Sequence, residues 1–238
     1  MDVQVSNSNE RALRASHLFG RFGEALVRRI ATGTSRRQLV RGDYLWRAGE
    51  AARAFVVIAS GLVKITRTGG EAGEDEAIIA LFGPHESVGT AAALECTKYP
   101  ADAVVASETA EVLWVDSEAV LQARQDPAVG AALSSALLEH THALQEKIRI
   151  MTAGSVPRRL AVLFQHLCER FGDELEGGVT FVPVVLSRIE LSHMVGARVE
   201  TTIRTLSRWR KLGMIETTKT GFEVRDLDSL RAVASGRS

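Results

Sequence analysis

Hydrophobic and polar positions change period several times along this chain, and each change marks a different kind of element. The polar opening, 1–10, reads as disorder extending over 1–13, and a first helix runs through Ala25 to Ile30 with further apolar residues before it. Short apolar or alternating runs then recur at 38–40, 44–46, 55–59, 62–67, 77–82, 86–88, 102–106 and 111–115. Gly42, Gly49, Gly61, the Gly69-Gly70 pair, Gly83-Pro84 and Gly89 punctuate them. Many short strands between turn residues predict an antiparallel sandwich or barrel.

A short helix at 117–124 and the Asp126-Pro127 break lead into about 25 residues of helical pattern. There Leu133, Leu137, His140, Leu144, Ile148 and Met151 recur at steps of four and three. A stripe this narrow suits a paired helix; the alternative is a helix buried against its own sandwich. Residues 151–156, with Thr152, Gly154 and Ser155, read as a hinge. Pro157 suits the first turn of a new helix, with Leu160, Leu163, Phe164, Leu167 and Phe171 on one face and Gly172 at its end.

Residues 186–213 predict two short helices joined by a tight turn. Ser187 stands three residues before Glu190, the spacing of a capping box, and Ile189, Leu191 and Met194 are expected to face a core. Gly196 supplies the turn, and a second helix runs from about Arg198 to Leu212, closed by Gly213. Its two sides carry opposite chemistry. Thr202, Leu206 and Trp209 fall on one side, and Glu200, Arg204, Ser207, Arg208 and Lys211 on the other. The guanidinium of Arg204 can bond bidentately to guanine, and Glu200, one turn earlier, can accept from a cytosine amine. A carboxylate on a face that only bound phosphates would be repulsive, so its presence points to base reading. Thr201, Ser207, Arg208 and Lys211 are then candidates for phosphate contacts, which fix register without carrying sequence information. Residues 214–217 and 222–225 flank Lys219-Thr220-Gly221 as a two-stranded wing, and a few residues of helix follow from Asp228.

The run Val199-Glu200-Thr201-Thr202-Ile203-Arg204, followed by Leu206, Gly213, Met214 and Ile215, resembles the recognition helix and start of the wing in the cyclic-AMP receptor protein and fumarate-nitrate regulator (CRP/FNR) family. The likeness extends from about Leu18 to Asp228. It implies an α+β protein: a sensor jelly roll of the cyclic-nucleotide-binding type over 14–125, a dimerisation helix and hinge over 126–155, and a winged helix-turn-helix over 156–238. It also implies base-reading roles for Glu200 and Arg204, a homodimer on a palindromic operator, and RNA polymerase as a partner. CRP proper has an arginine where this chain has Val199, and the FNR branch a serine where it has Ile203. An apolar residue can meet a thymine methyl but cannot donate to guanine, so a half-site nearer the FNR type is expected.

Charge distribution supports this reading although the formal net charge is zero. Residues 43–120 hold 13 acidic against 5 basic residues, a balance of −8, whereas 187–213 hold 6 basic against 2 acidic, a balance of +4. A localised positive patch steers a protein onto DNA, and the acidic remainder helps orient it. Hydrophobic content of 45% over 238 residues suffices for two cores. No apolar run approaches the roughly 20 residues needed to cross a bilayer, and the opening lacks a signal-peptide core, so a cytoplasmic protein without membrane contact is expected. Cys96 and Cys168 are too few for a disulfide framework and read as buried or semi-buried thiols.

What the first domain senses is a separate question. In the cyclic-AMP branch of the family a glycine-glutamate pair holds the ribose and an arginine-serine pair the phosphate. Alignment through Gly89 and Ala103 places Thr90 where the glutamate belongs, and Ala101 and Asp102 where arginine and serine belong. An aspartate beside a cyclic phosphate is repulsive and a missing arginine removes charge-assisted bonds, which argues against cyclic AMP. A four-cysteine iron-sulfur cluster is disfavoured by a cysteine count of two. Haem stays open, since one histidine can suffice, and His85 beside Gly83-Pro84 is the best placed of six. Ala91, Ala92 and Ala93 leave room for an apolar or planar ligand, and DNA binding without any ligand is equally allowed. The rival classes are a cyclic-nucleotide-type module acting on a protein partner and a haem or redox gas sensor. No nucleophile, paired acids or metal spacing points to an enzyme.

Overall fold

The computed structural model describes residues 2–69 and 75–236. Among the described residues, eight α-helices and twelve strands flank one long helix as the period changes require. The first part comprises α1 (Asp2–Ala15), α2 (Glu24–Thr32), β1 (Ser35–Val40), β2 (Tyr44–Trp46), β3 (Ala54–Ser60), β4 (Val63–Gly69), β5 (Asp75–Phe82), β6 (Ser87–Val88), α3 (Thr90–Leu94), β7 (Asp102–Val105), β8 (Thr109–Asp116) and α4 (Ser117–Leu121). Then follow α5 (Pro127–Thr152), α6 (Val156–Phe171), β9 (Asp173–Glu174), β10 (Thr180–Val182), α7 (Arg188–Val195), α8 (Val199–Lys211), β11 (Ile215–Thr217), β12 (Phe222–Val224) and α9 (Leu227–Ser235).

Two four-stranded sheets, ordered β1-β8-β3-β6 and β2-β7-β4-β5, make the jelly roll. Strand β3 shows why the first sheet is stable. Phe55, Val56, Val57 and Ile58 are all fully buried, so both of its faces are covered, and it pairs antiparallel with β8 from Ala54↔Asp116 to Ile58↔Val112. Phe19 stacks on Phe55 at 6.0 Å and sets the preceding segment against that core.

By compactness the chain divides into two units. One holds residues 1–65, 81–105 and 109–143, and the other 66–80, 106–108 and 144–238. The division runs through α5, and the second unit takes the β4–β5 segment: the Lys147 ammonium of α5 donates to the Ile78 carbonyl.

The opening of the chain departs from the sequence expectation. Residues 2–13 are helical, not disordered. Leu13 is fully buried and the Asn9 side chain, also buried, donates to the Thr34 carbonyl at 2.8 Å. Glu10 accepts from Arg14 one turn on, and the Arg14 guanidinium holds its carboxyl below the usual range. The opening is polar overall, but these few anchors suffice to order it. Cys96 departs as well: it is exposed, whereas Cys168 is buried and its thiol is pushed up to about 11 by burial.

Candidate nucleic-acid interface

The two-helix motif expected from the sequence is built on α6. Leu160, Leu163, Phe164 and Leu167 are buried on its inner face. Phe164 meets Trp209 of α8 at 6.4 Å and Phe222 of β12 at 5.2 Å, both edge-on, so one ring fixes the second helix and the wing together. The expected two-stranded wing is present as β11 and β12, and β10 and β9 extend it to a four-stranded sheet, β11-β12-β10-β9. Strands β9 and β10 are only two and three residues long, which is why the pattern did not betray them.

The capping box is present in full at the start of α7. Glu190 N–H donates to Ser187 Oγ at 3.1 Å and Ser187 N–H to Glu190 Oε2 at 2.7 Å. Leu191 and Val195 are buried, but Ile189 is 52% exposed and does not face the core as expected. It lies about half a turn round from Leu191, and the inward face of so short a helix accepts only 191, 192 and 195. Gly196 closes α7 with a φ of +59°, the left-handed conformation glycine adopts at low cost. Arg159 of α6 donates to the carbonyls of Val195 and Gly196 at 3.1 and 3.2 Å, satisfying the helix end and locking the turn.

Helix α8 separates its two faces cleanly. Thr202, Leu206 and Trp209 are buried, while Glu200, Ile203, Arg204, Ser207, Arg208 and Lys211 line one shallow surface depression. Val199 and Thr201 are half-buried at its margin. Six of the eight side chains named from the sequence therefore share one outward face, with an apolar residue, Ile203, 43% exposed between the two charges. The residue sequence reasoning passed over is Arg188. Its Nη2 donates to Thr217 Oγ1 at 2.8 Å, tying the start of α7 to β11, and burial together with Arg210 lowers its affinity for its proton. Its spacing in the sequence carries no signal for that tie.

The wing turn depends on Gly221. Thr218 N–H donates to the Gly221 carbonyl at 2.9 Å, and a Cβ on Gly221 would lie 2.1 Å from the Val182 carbonyl oxygen. Backbone cannot yield as a flexible side chain can. Gly221→Ala is expected to destabilise the protein by about 1 to 3 kcal/mol, an overpacking cost, read as a lowered denaturation midpoint. An unchanged midpoint would show that the wing packs otherwise.

On α5, Leu144, Ile148 and Met151 of the apolar stripe are exposed, Ile148 by 62%, and Leu133 is half-buried. The side chains of Leu137 and His140 lie outside the described residues. Met151 reaches the helix-turn-helix motif, since a Cβ on Gly196 would stand 3.2 Å from its methyl carbon.

In the first unit the four residues aligned with an effector site are already engaged by the fold. Thr90 is buried and donates to Ser87 Oγ at 3.1 Å; the Ala101 carbonyl accepts from Trp46 Nε1 at 3.1 Å; Asp102 Oδ1 accepts from Ala48 N–H at 2.6 Å. Gly89 caps α3 with a φ of +81°. Ala92 and Ala93 are buried where α3 packs on β3. His85 is exposed, and its backbone links Ile58 and His17.

A cyclic nucleotide-binding domain model matches residues 36–126, and a Crp-like helix-turn-helix domain model matches 158–233, together most of the chain. The chain belongs to the CRP/FNR family of transcription regulators. Among similar proteins, the transcriptional activator protein anr of Pseudomonas aeruginosa is 28% identical over 84% of this chain and 81% of its own length. A CRP-like cAMP-activated global transcriptional regulator of Mycobacterium tuberculosis is 26% identical over 74% and 77%. Among solved structures, a CRP-family transcriptional regulator from Thermus thermophilus superposes with a TM-score of 0.70 at 20% identity, covering 84% of this chain and 96% of its own, which speaks to the fold alone. As a CRP/FNR regulator, the chain is a DNA-binding protein whose helix-turn-helix is α7 and α8. No described helix is long and apolar enough to cross a membrane.

Proposed function

We propose that this CRP/FNR regulator acts as a homodimer, paired along the exposed stripe of α5, that lays two copies of α8 in major grooves of a palindromic operator. The single observation that carries the reading is the outward face of α8, where a carboxylate, an apolar residue and a guanidinium stand within one turn of each other. In this reading Glu200 accepts from a cytosine amine, Arg204 bonds guanine bidentately, and Ile203 with Val199 meets thymine methyl groups. Thr201, Ser207, Arg208 and Lys211 contact phosphates and set register. The uncovered apolar residues of α5 support pairing, because Leu144 and Ile148 have no partner within the described part of the chain that covers them. RNA polymerase is the protein partner such a promoter-bound dimer would address.

A mobility shift on a two-fold symmetric duplex, with scrambled DNA as competitor, tests the reading. A retarded band that survives the competitor is expected, and a band lost equally to both duplexes would sink it.

In this reading cyclic AMP does not act as an effector of this regulator. Asp102 stands where the phosphate would need a hydroxyl and Ala101 where it would need a permanent cation, so a nucleotide gains no differential grip on one state of the dimer. Calorimetry with cyclic AMP is expected to give no heat, and mobility shifts to stay unchanged at millimolar nucleotide. Micromolar binding would overturn the alignment of the pocket.

A further inference from the structure

Two segments of the first unit, 89–90 and 101–102, align with the effector position of the family, and one side chain of the protein already spans them. The Trp46 indole nitrogen donates to the Ala101 carbonyl at 3.1 Å. Further along the same edge of the ring, Cη2 and Cζ2 lie 2.9 and 3.1 Å from where a Cβ on Gly89 would sit. The edge of the indole thus runs from the start of β7 to the turn before α3. Tyr99 completes the arrangement. Its ring stacks on Trp46 at 4.2 Å with 13° between planes, and its Cε1 lies 3.1 Å from the same Gly89 position.

The pair is anchored as firmly as a core element. Both rings are buried, and the Tyr99 hydroxyl donates to the Ala54 carbonyl of β3. The Tyr99 backbone accepts from Gly49 at 2.8 Å and donates to Glu50 at 2.9 Å. Residue 89 has no room for any side chain because the rings occupy it, which explains a glycine there beyond its positive φ.

We propose that Trp46 and Tyr99 stand in for an effector: the aromatic pair holds 89–90 and 101–102 together, so the DNA-competent state needs no small molecule between them. The inference rests on reading those segments as the effector position, and it selects ligand-independent DNA binding from the readings the sequence left open. A ligand entering there must first expel an indole that is buried and hydrogen-bonded, and each such ring contributes roughly 150 to 250 Å² of burial. Control of this regulator then acts elsewhere than between these segments.

The test strips the full-length protein of small molecules by unfolding in guanidinium, gel filtration and refolding, and follows amide hydrogen exchange together with operator binding. The stripped protein is expected to protect 87–102 as well as β3 and β8, and to bind DNA as tightly as protein never unfolded. Trp46→Ala should speed exchange of 87–102 by about tenfold or more, the loss of a buried hydrogen bond and its packing, and millimolar indole should slow it again. Trp46→Phe, which keeps a ring but loses the donor, should fall between, and it decides the matter should Trp46→Ala not fold. Fast exchange of 87–102 in the stripped protein, slowed by a small-molecule extract, would overturn the proposal. So would a Trp46→Phe protein with unaltered exchange. If protein never unfolded binds no DNA, the operator reading has failed, while the exchange measurements still decide the role of the aromatic pair.

Discussion

Replacing Arg204 by alanine is expected to weaken operator binding by about 1 to 3 kcal/mol per half-site, hence about 2 to 6 kcal/mol for a symmetric operator whose half-sites act independently. The loss should fall on one base pair of each half-site, because the guanidinium fork supplies two parallel bonds to one guanine. The side chain is exposed on a helix that Trp209, Leu206 and Thr202 hold in place from the other face, so the variant should fold as the parent does. Lys211→Ala provides the contrast: binding should weaken alike on all sequences and the salt dependence should fall by about one phosphate contact. Competition assays on single-base variants of the operator separate the two. Equal losses on specific and random DNA for both variants would remove the base-reading role.

An equally large effect is expected from Ile148→Glu. In the single chain Ile148 is 62% exposed, so a carboxylate there costs the isolated subunit little. In a dimer paired along α5 the same carboxylate would be buried without a partner, a strongly unfavourable position, and the protein should become a folded monomer. Operator affinity should then fall by about 10²-fold or more, since the second half-site no longer binds as an intramolecular event. Sedimentation equilibrium and the denaturation midpoint together check this. A dimer unchanged in sedimentation would place the interface elsewhere.

The motif was legible in the sequence because its cues are local. Ser187 and Glu190 announce a cap, Gly196 and Gly213 mark turns, and residues spaced at 3.6 sort the two faces of α8, all within windows of a dozen residues. The strands of the jelly roll were legible for the same reason: alternation and glycine punctuation placed every one of them, with ends off by at most a few residues. What escaped depends on contacts far along the chain. Asn9 orders α1 through Thr34, and Trp46 meets Ala101 across 55 residues. Ile189 misled because an apolar residue in the first turn of a short helix has the right period for a core and yet no core opposite it. Strands β9 and β10 are too short to show a period, and only the tertiary register Thr180↔Val224 makes them visible. For the residues aligned with an effector site, the alignment gave their identities but not that Thr90, Ala101 and Asp102 each hydrogen-bond within the fold.

Selection of bound duplexes from a fully randomised pool, with the unaltered protein and with Arg204→Ala, shows whether α8 reads bases from a symmetric dimer. The unaltered protein is expected to enrich an inverted repeat whose half-sites are spaced by about one helical turn, centre to centre, and Arg204→Ala the same repeat with one position in each half relaxed. Enrichment of no repeat, or a repeat whose every position is unchanged by Arg204→Ala, would contradict base reading by α8.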